Sequence, residues 1–172
     1  MKEQFSNYPK KIKASTQHAE NYYVLKNGLY AVHGDVPPPC KAAIVVSIEE
    51  GKIAICKGNP DELPPSVDRN TITPVYALAS SGPLAVPTGL ILVRYTDNIT
   101  AISQQQALQR IGYIIDQELH YVPQALWVKS ANGDIAYGLN NISLLETQPD
   151  VENVEPQMLM ESVRRATVAQ PM

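Results

Sequence analysis

Two hydrophobic grammars follow one another along the chain, and the change falls at Gly89. Residues 1–21 are polar with no apolar period, which predicts a flexible, fraying N-terminus. Residues 22–35, YYVLKNGLYAVHGD, alternate weakly around Asn27-Gly28, a tight-turn signal. The run VPPPC at 36–40 blocks any regular element, because proline fixes φ and lacks an amide N–H. Residues 42–58, AAIVVSIEEGKIAICKG, are rich in β-branched residues on both sides of Glu50-Gly51 and predict a hairpin. A proline-punctuated linker spans 59–74, and VYALASSGPLAVPTG at 75–89 is a further extended piece.

Beyond Gly89 the period alternates between strand and helix. GLILVRYT at 89–96 suits a buried strand. Thr100 or Asn98 caps a helix carrying Ile102, Ala107, Leu108 and Ile111, and Gly112 ends it. YIIDQELHY at 113–121 predicts a second strand and ALWVKS at 125–130 a third, closed by Asn132-Gly133. Asp134 opens a second helix with Ile135, Leu139, Ile142 and Leu145 on one stripe. Pro149 ends it, and a fourth strand starts at Val151. The predicted fold class is α+β, a ferredoxin-like β-α-β-β-α-β sandwich: an antiparallel sheet with two helices on one face, preceded by an N-terminal β-hairpin extension. The predicted organisation is a flexible 1–21, a hairpin and Pro-rich region over 22–74, the ferredoxin-like domain over 75–160, and a tail over 161–172. The fourth strand lies at a sheet edge in this topology, where Pro156 is tolerated.

Charge and cysteine content narrow the function classes. The 172 residues carry a net charge of -3 with scattered lysines and arginines, which argues against nucleic acid. Only PKKIK at 9–13 is locally basic, and it reads as a solvated run. No apolar run is long enough to span a bilayer, and the first residues lack the apolar core of a signal peptide. The expected setting is therefore the cytoplasm, with no membrane partner. Cys56 would lie opposite about Val45 in the hairpin, which puts Cys40 out of register for a disulfide; both are expected to be thiols.

Candidate chemistry is sparse. His18, His33 and His120 are dispersed and form no metal-ligand motif, so each reads as a surface or hydrogen-bonded histidine. His33-Gly34-Asp35 resembles a catalytic pair only superficially, since a glycine separates the two groups. Neither a GxSxG elbow nor a phosphate loop is present, and no nucleophile with base and orienting partner can be assembled. The expectation is a non-enzyme without cofactor or metal. The open sheet face is more informative: Trp127 and Lys129 share one side of the third strand, Leu126 and Val128 the other. Tyr95, Tyr121 and Trp127 would cluster on the uncovered face as a protein-binding patch, or else pack beneath the N-terminal β segments. RNA binding would need an RNP1 consensus, which KSANGDIAYG lacks.

Residues from about 74 to 160 resemble the N-terminal propeptide of subtilisin-like serine proteases, closest to the longer fervidolysin type. The carriers are the first strand Thr88-Gly89-Leu90-Ile91-Leu92-Val93-Arg94-Tyr95, Gly112 before the second strand, and Pro149-Asp150-Val151-Glu152-Asn153-Val154-Glu155-Pro156 at the fourth. The resemblance implies an inhibitor and folding chaperone whose open face, with Tyr95 and Trp127, packs on two protease helices. Acids around the fourth strand, Glu152 and above all Glu155, would cap those helices, with Gln157 at a neighbouring position. Met158, Leu159, Met160, Glu161, Ser162 and Val163 would run through the substrate groove as an added strand. The chain reaches Met172 without a protease domain, so the resemblance implies action in trans on a separate protease. A non-inhibitory adaptor using the same face is the alternative, and a tail that frays without a partner is the plain reading of 161–172.

Overall fold

The β-branched runs and the two apolar stripes become strands and short helices in a computed structural model, which describes residues 5–34, 43–48, 52–79 and 81–160. The strands are β1 (Lys11–Lys13), β2 (Tyr22–His33), β3 (Ile44–Ile48), β4 (Ile53–Lys57), β5 (Ile72–Leu78), β6 (Leu84–Tyr95), β7 (Tyr113–Glu118), β8 (Ala125–Ser130) and β9 (Val151–Met160). The helices are α1 (Gln105–Arg110), preceded by a 3-10 turn at Ala101–Gln104, then α2 (Ile135–Asn140) and α3 (Ile142–Glu146). The architecture is mixed α+β with few helices, and the pairs β2–β4, β2–β5, β3–β4, β5–β6, β6–β8 and β7–β8 are all antiparallel. Two compact units divide the chain. The first takes Met1–Ser6, Val24–Val86 and Met158–Met172, the second Asn7–Tyr23 and Pro87–Gln157. The strands are more numerous than a four-stranded sandwich requires.

In the first unit the expected hairpin forms between β3 and β4, with Ile48 opposite Ile53 and Cys56 opposite Ile44. Cys56 is buried, and Cys40 lies outside the described residues. Tyr30, Val32, Ala54, Cys56 and Ile72 form one apolar cluster, closed by Phe5, Ala43, Leu63 and Val67. Ala31, Ile53, Ile55, Val75 and Val86 belong to a second, closed in part by Leu84 and Leu159. Alternate residues of β2 and β4 enter the two clusters, so both faces of these strands are covered. The linker carries two 3-10 turns, capped by the side chains of Asn59 and Asp68. The Arg69 guanidinium donates to the carbonyls of Pro60 and Leu63 and binds the turns together.

Asn27-Gly28 does not reverse the chain as its turn signal predicts. β2 runs through it, and toward β5 Lys26, Asn27, Gly28 and Leu29 match only Val75, between the pairs Leu25–Tyr76 and Tyr30–Pro74, while Leu29 faces Lys57 of β4 on the other edge. The apolar residues on either side, Val24 and Leu25 then Tyr30 to Val32, are claimed by one partner strand, so the surplus bulges out.

In the second unit β9 pairs with β6, β6 with β8, and β8 with β7, with α1 following β6 and α2–α3 following β8. α2 is capped by the Asp134 side chain, which accepts from Ala136 N at 3.0 Å. It sits on the sheet where Gly138 meets Ile91 and Tyr113, and the Tyr113 hydroxyl donates to Gly138 O at 2.7 Å. The stripe Leu139, Ile142 and Leu145 is buried, although the helix breaks at Asn141 rather than running on to Pro149. Gly112, at φ +94°, ends the first helical segment beneath Tyr137, whose hydroxyl would lie 2.6 Å from any Cβ there. A side chain at 112 is sterically excluded.

The segment expected to fray is tied down where it crosses this unit. β1 pairs with β2, and Ile12 is 3% exposed. Lys13 Nζ donates to both carboxylate oxygens of Glu146 at 3.1 Å, and Thr16 Oγ1 to Glu146 Oε2 at 2.7 Å. Val154 N donates back to Thr16 Oγ1 at 3.0 Å. Polar side chains meeting far along the sequence supply the order that local apolar periodicity lacks.

Candidate protein-interaction face

Strand parity decides which side chains share a face. Ile91 pairs with Val128, Leu92 with Trp127, Val93 with Leu126, and Arg94 with Ala125. Ile91, Val93, Leu126 and Val128 are fully buried on the side that carries α2, and Tyr95, at 1% exposure, continues their alternation. Burial pushes the Tyr95 phenol up to about 12. Trp127 and Leu92 lie on the opposite side, both half-buried. The expected Tyr95–Tyr121–Trp127 cluster is therefore corrected: one residue of parity puts Tyr95 in the core, and Tyr121 stands 85% exposed in the turn after β7.

What surrounds Trp127 on the side away from α2 is charge. Arg94 Nε lies 3.3 Å from Glu152 Oε1, and Lys129 Nζ lies 3.3 Å from Asp116 Oδ1. The result is an apolar centre of Trp127 and Leu92 with an ion pair to either side. Where β6 and β8 approach the β8–α2 turn, a half-open cavity of about 520 Å³ is lined by Gly89, Leu90, Ile114, Lys129, Asn132 and Ile135, among others. Gly89 takes φ +95°, and a Cβ there would come within 3.0 Å of Ile135 Cγ1. The glycine of the first-strand motif is thus a packing requirement of this corner.

The fourth-strand residues divide by what they already hold. Glu152 is committed to Arg94. Gln157 Oε1 accepts from Thr88 Oγ1 at 2.8 Å, and that hydroxyl accepts in turn from Leu90 N. Of Glu152, Glu155 and Gln157 only Glu155 is exposed, and its carboxylate adds to the burial that raises the Tyr23 phenol. Met158, Leu159 and Met160 are not a released tail. β9 continues through them, and Leu159 packs on the second cluster of the first unit. Pro156 lies within β9, as its edge position allows, because an edge strand needs its N–H groups on one side only. Glu161, Ser162 and Val163 lie outside the described residues.

Periodicity missed both ion pairs, because each joins residues from different strands. The signal that would find the second is opposite charge on neighbouring strands at a diagonal, since Lys129 faces Ile114 and reaches Asp116 two residues on. Of the histidines, His33 Nε2 lies 2.9 Å from Thr73 Oγ1, a nucleophile-and-base spacing. Thr73 is only 2% exposed, so no substrate reaches it; the contact is a cross-strand tie. Among the described residues no group of His, Cys, Asp and Glu could hold a metal ion, and no helix is long and apolar enough to cross a membrane. No family model, no curated protein and no solved structure matches the chain.

Proposed function

We propose that the second unit is a ferredoxin-like, propeptide-type module that binds a subtilisin-like serine protease in trans through its sheet face away from α2. The observation that carries this reading is the half-buried Trp127–Leu92 pair between the Arg94–Glu152 and Lys129–Asp116 ion pairs. A tryptophan ringed by polar groups is the composition of an interface hot spot, where a partner completes the burial. The β9-β6-β8-β7 order, with helical segments after β6 and β8, supports the ferredoxin-like description. The resemblance of the first and fourth strands supplies the partner class, and exposed Glu155 is the acid left to cap a protease helix. Inhibition assays with purified subtilisin-like proteases test this. Trp127→Ala and Glu155→Gln each weaken inhibition, the first by about 2 kcal/mol or more. Absence of inhibition at micromolar concentration of the parent chain would remove inhibition as the function.

A second reading, a non-inhibitory adaptor using the same face, is favoured by one observation: Met158–Met160 are strand residues, with Leu159 in an apolar cluster. Groove insertion is then left to residues from 161 onward. Removing 161–172 separates the readings, whereas a cut after Gln157 would also strip Leu159 from its cluster. An inhibitor loses potency on the shorter cut, and an adaptor keeps its partner.

A further inference from the structure

The sequence holds two Asn-Gly pairs, Asn27-Gly28 and Asn132-Gly133, and all four residues are exposed. Asparagine before glycine is the dipeptide in which the following backbone nitrogen most readily attacks the side-chain amide, since glycine has no side chain to obstruct it. The two pairs sit in opposite constraints. At the β8–α2 turn, Asn132 Oδ1 accepts from the Ser130 hydroxyl and from Asp134 N. Gly133 N, the atom that would attack, donates its proton to Ser130 O at 3.1 Å. The electrophile is clamped from two sides and the nucleophile is tied.

Asn27 has a different setting. It lies where β2 departs from its regular pairing with β5, while on the other edge Gly28 O accepts from Gly58 N at 2.9 Å and Leu29 faces Lys57 of β4. A Cβ built on Gly28 meets nothing within 4 Å, so the space around the pair is open.

We propose that Asn27 is a site of spontaneous deamidation in the native protein and that Asn132 is protected by its turn. Gly28 N, deprotonated by hydroxide, bonds to Asn27 Cγ; the Cγ–Nδ2 bond breaks, and ammonia leaves with a proton from water. Water then opens the five-membered imide at either carbonyl, giving aspartate or isoaspartate at position 27. No electron is transferred. The irregular β5 side of the strand leaves room for the extra backbone methylene of isoaspartate, because Lys26 to Leu29 have no regular register with β5. At Asn132, freeing Gly133 N from Ser130 O slows the attack by roughly fivefold, and the two bonds to Oδ1 hold the side chain in its turn rotamer.

The test is peptide mapping by mass spectrometry after incubating the full chain in mildly alkaline buffer, with and without guanidinium. In buffer, Asn27 gains the mass of an amide-to-acid exchange while Asn132 remains asparagine; in guanidinium both convert at similar rates. Native Asn132 keeping pace with Asn27, or native Asn27 staying intact while its denatured form converts, would overturn the proposal. A parallel incubation of Asn27→Gln, which lacks the favourable ring size, shows no conversion there if the assignment is right.

Discussion

The two units bury their strands in different ways. In the first, Ile53 to Cys56 of β4 and Ile72 to Ala77 of β5 are buried without a break, because an apolar cluster lies on each face. In the second, β8 places Leu126 and Val128 under α2 and leaves Trp127 and Lys129 toward water. Continuous burial fixes β4 and β5 but leaves these two strands no face to offer. Alternating burial leaves one, and that is why the docking reading rests on the second unit.

Substitutions in the two units should differ in cost. Ile55→Ala, at 0% exposure between the apolar residues of the first unit, is expected to cost about 2–5 kcal/mol in denaturant unfolding. Trp127→Ala is expected to cost clearly less, although it removes a larger side chain. Equal losses would mean the Trp127 face is filled, and the docking proposal would fall with it. Tyr113→Phe deletes the buried hydroxyl bond to Gly138 O and is expected to cost about 1–3 kcal/mol. Glu146→Gln leaves Lys13 and Thr16 with a neutral partner; the loss stays within about 1 kcal/mol, and limited proteolysis within residues 7–23 reports it more sensitively than unfolding does.

The smallest effect is a dependence on pH. Burial holds the His33 pKa below its ordinary 6.5, so the folded state prefers the neutral ring. The unfolded chain therefore binds the proton more readily, and this contribution is complete above 6.5 and lost as the pH falls below it. Unfolding of the parent and of His33→Gln should diverge across that window, the parent weakening more on acidification. Parallel curves would show that His33 carries no linkage.

Much of the second unit was legible because its apolar periods are local. ALWVKS coincides with β8, Asp134 caps its helix, and Gly112 ends the first helical segment. Legibility failed where distant residues decide. Placing Tyr95 beside Trp127 needed the register between β6 and β8, which no single strand's pattern contains. The order of residues 7–23 depends on Lys13 and Thr16 finding Glu146, polar contacts without a periodic signature. The turn signal at Asn27-Gly28 lost to the apolar residues flanking it, which pair in one continuous strand.

Segment order has a consequence for synthesis. The first unit draws on three stretches of chain and the second on two. A ribosome building from the N-terminus therefore cannot release a finished first unit before starting the second. Leu159 reaches its cluster only after all of Pro87–Gln157 has been made. The buried members of both clusters lie between Tyr30 and Val86, so Leu159 joins as a late addition to a cluster whose centre is made first.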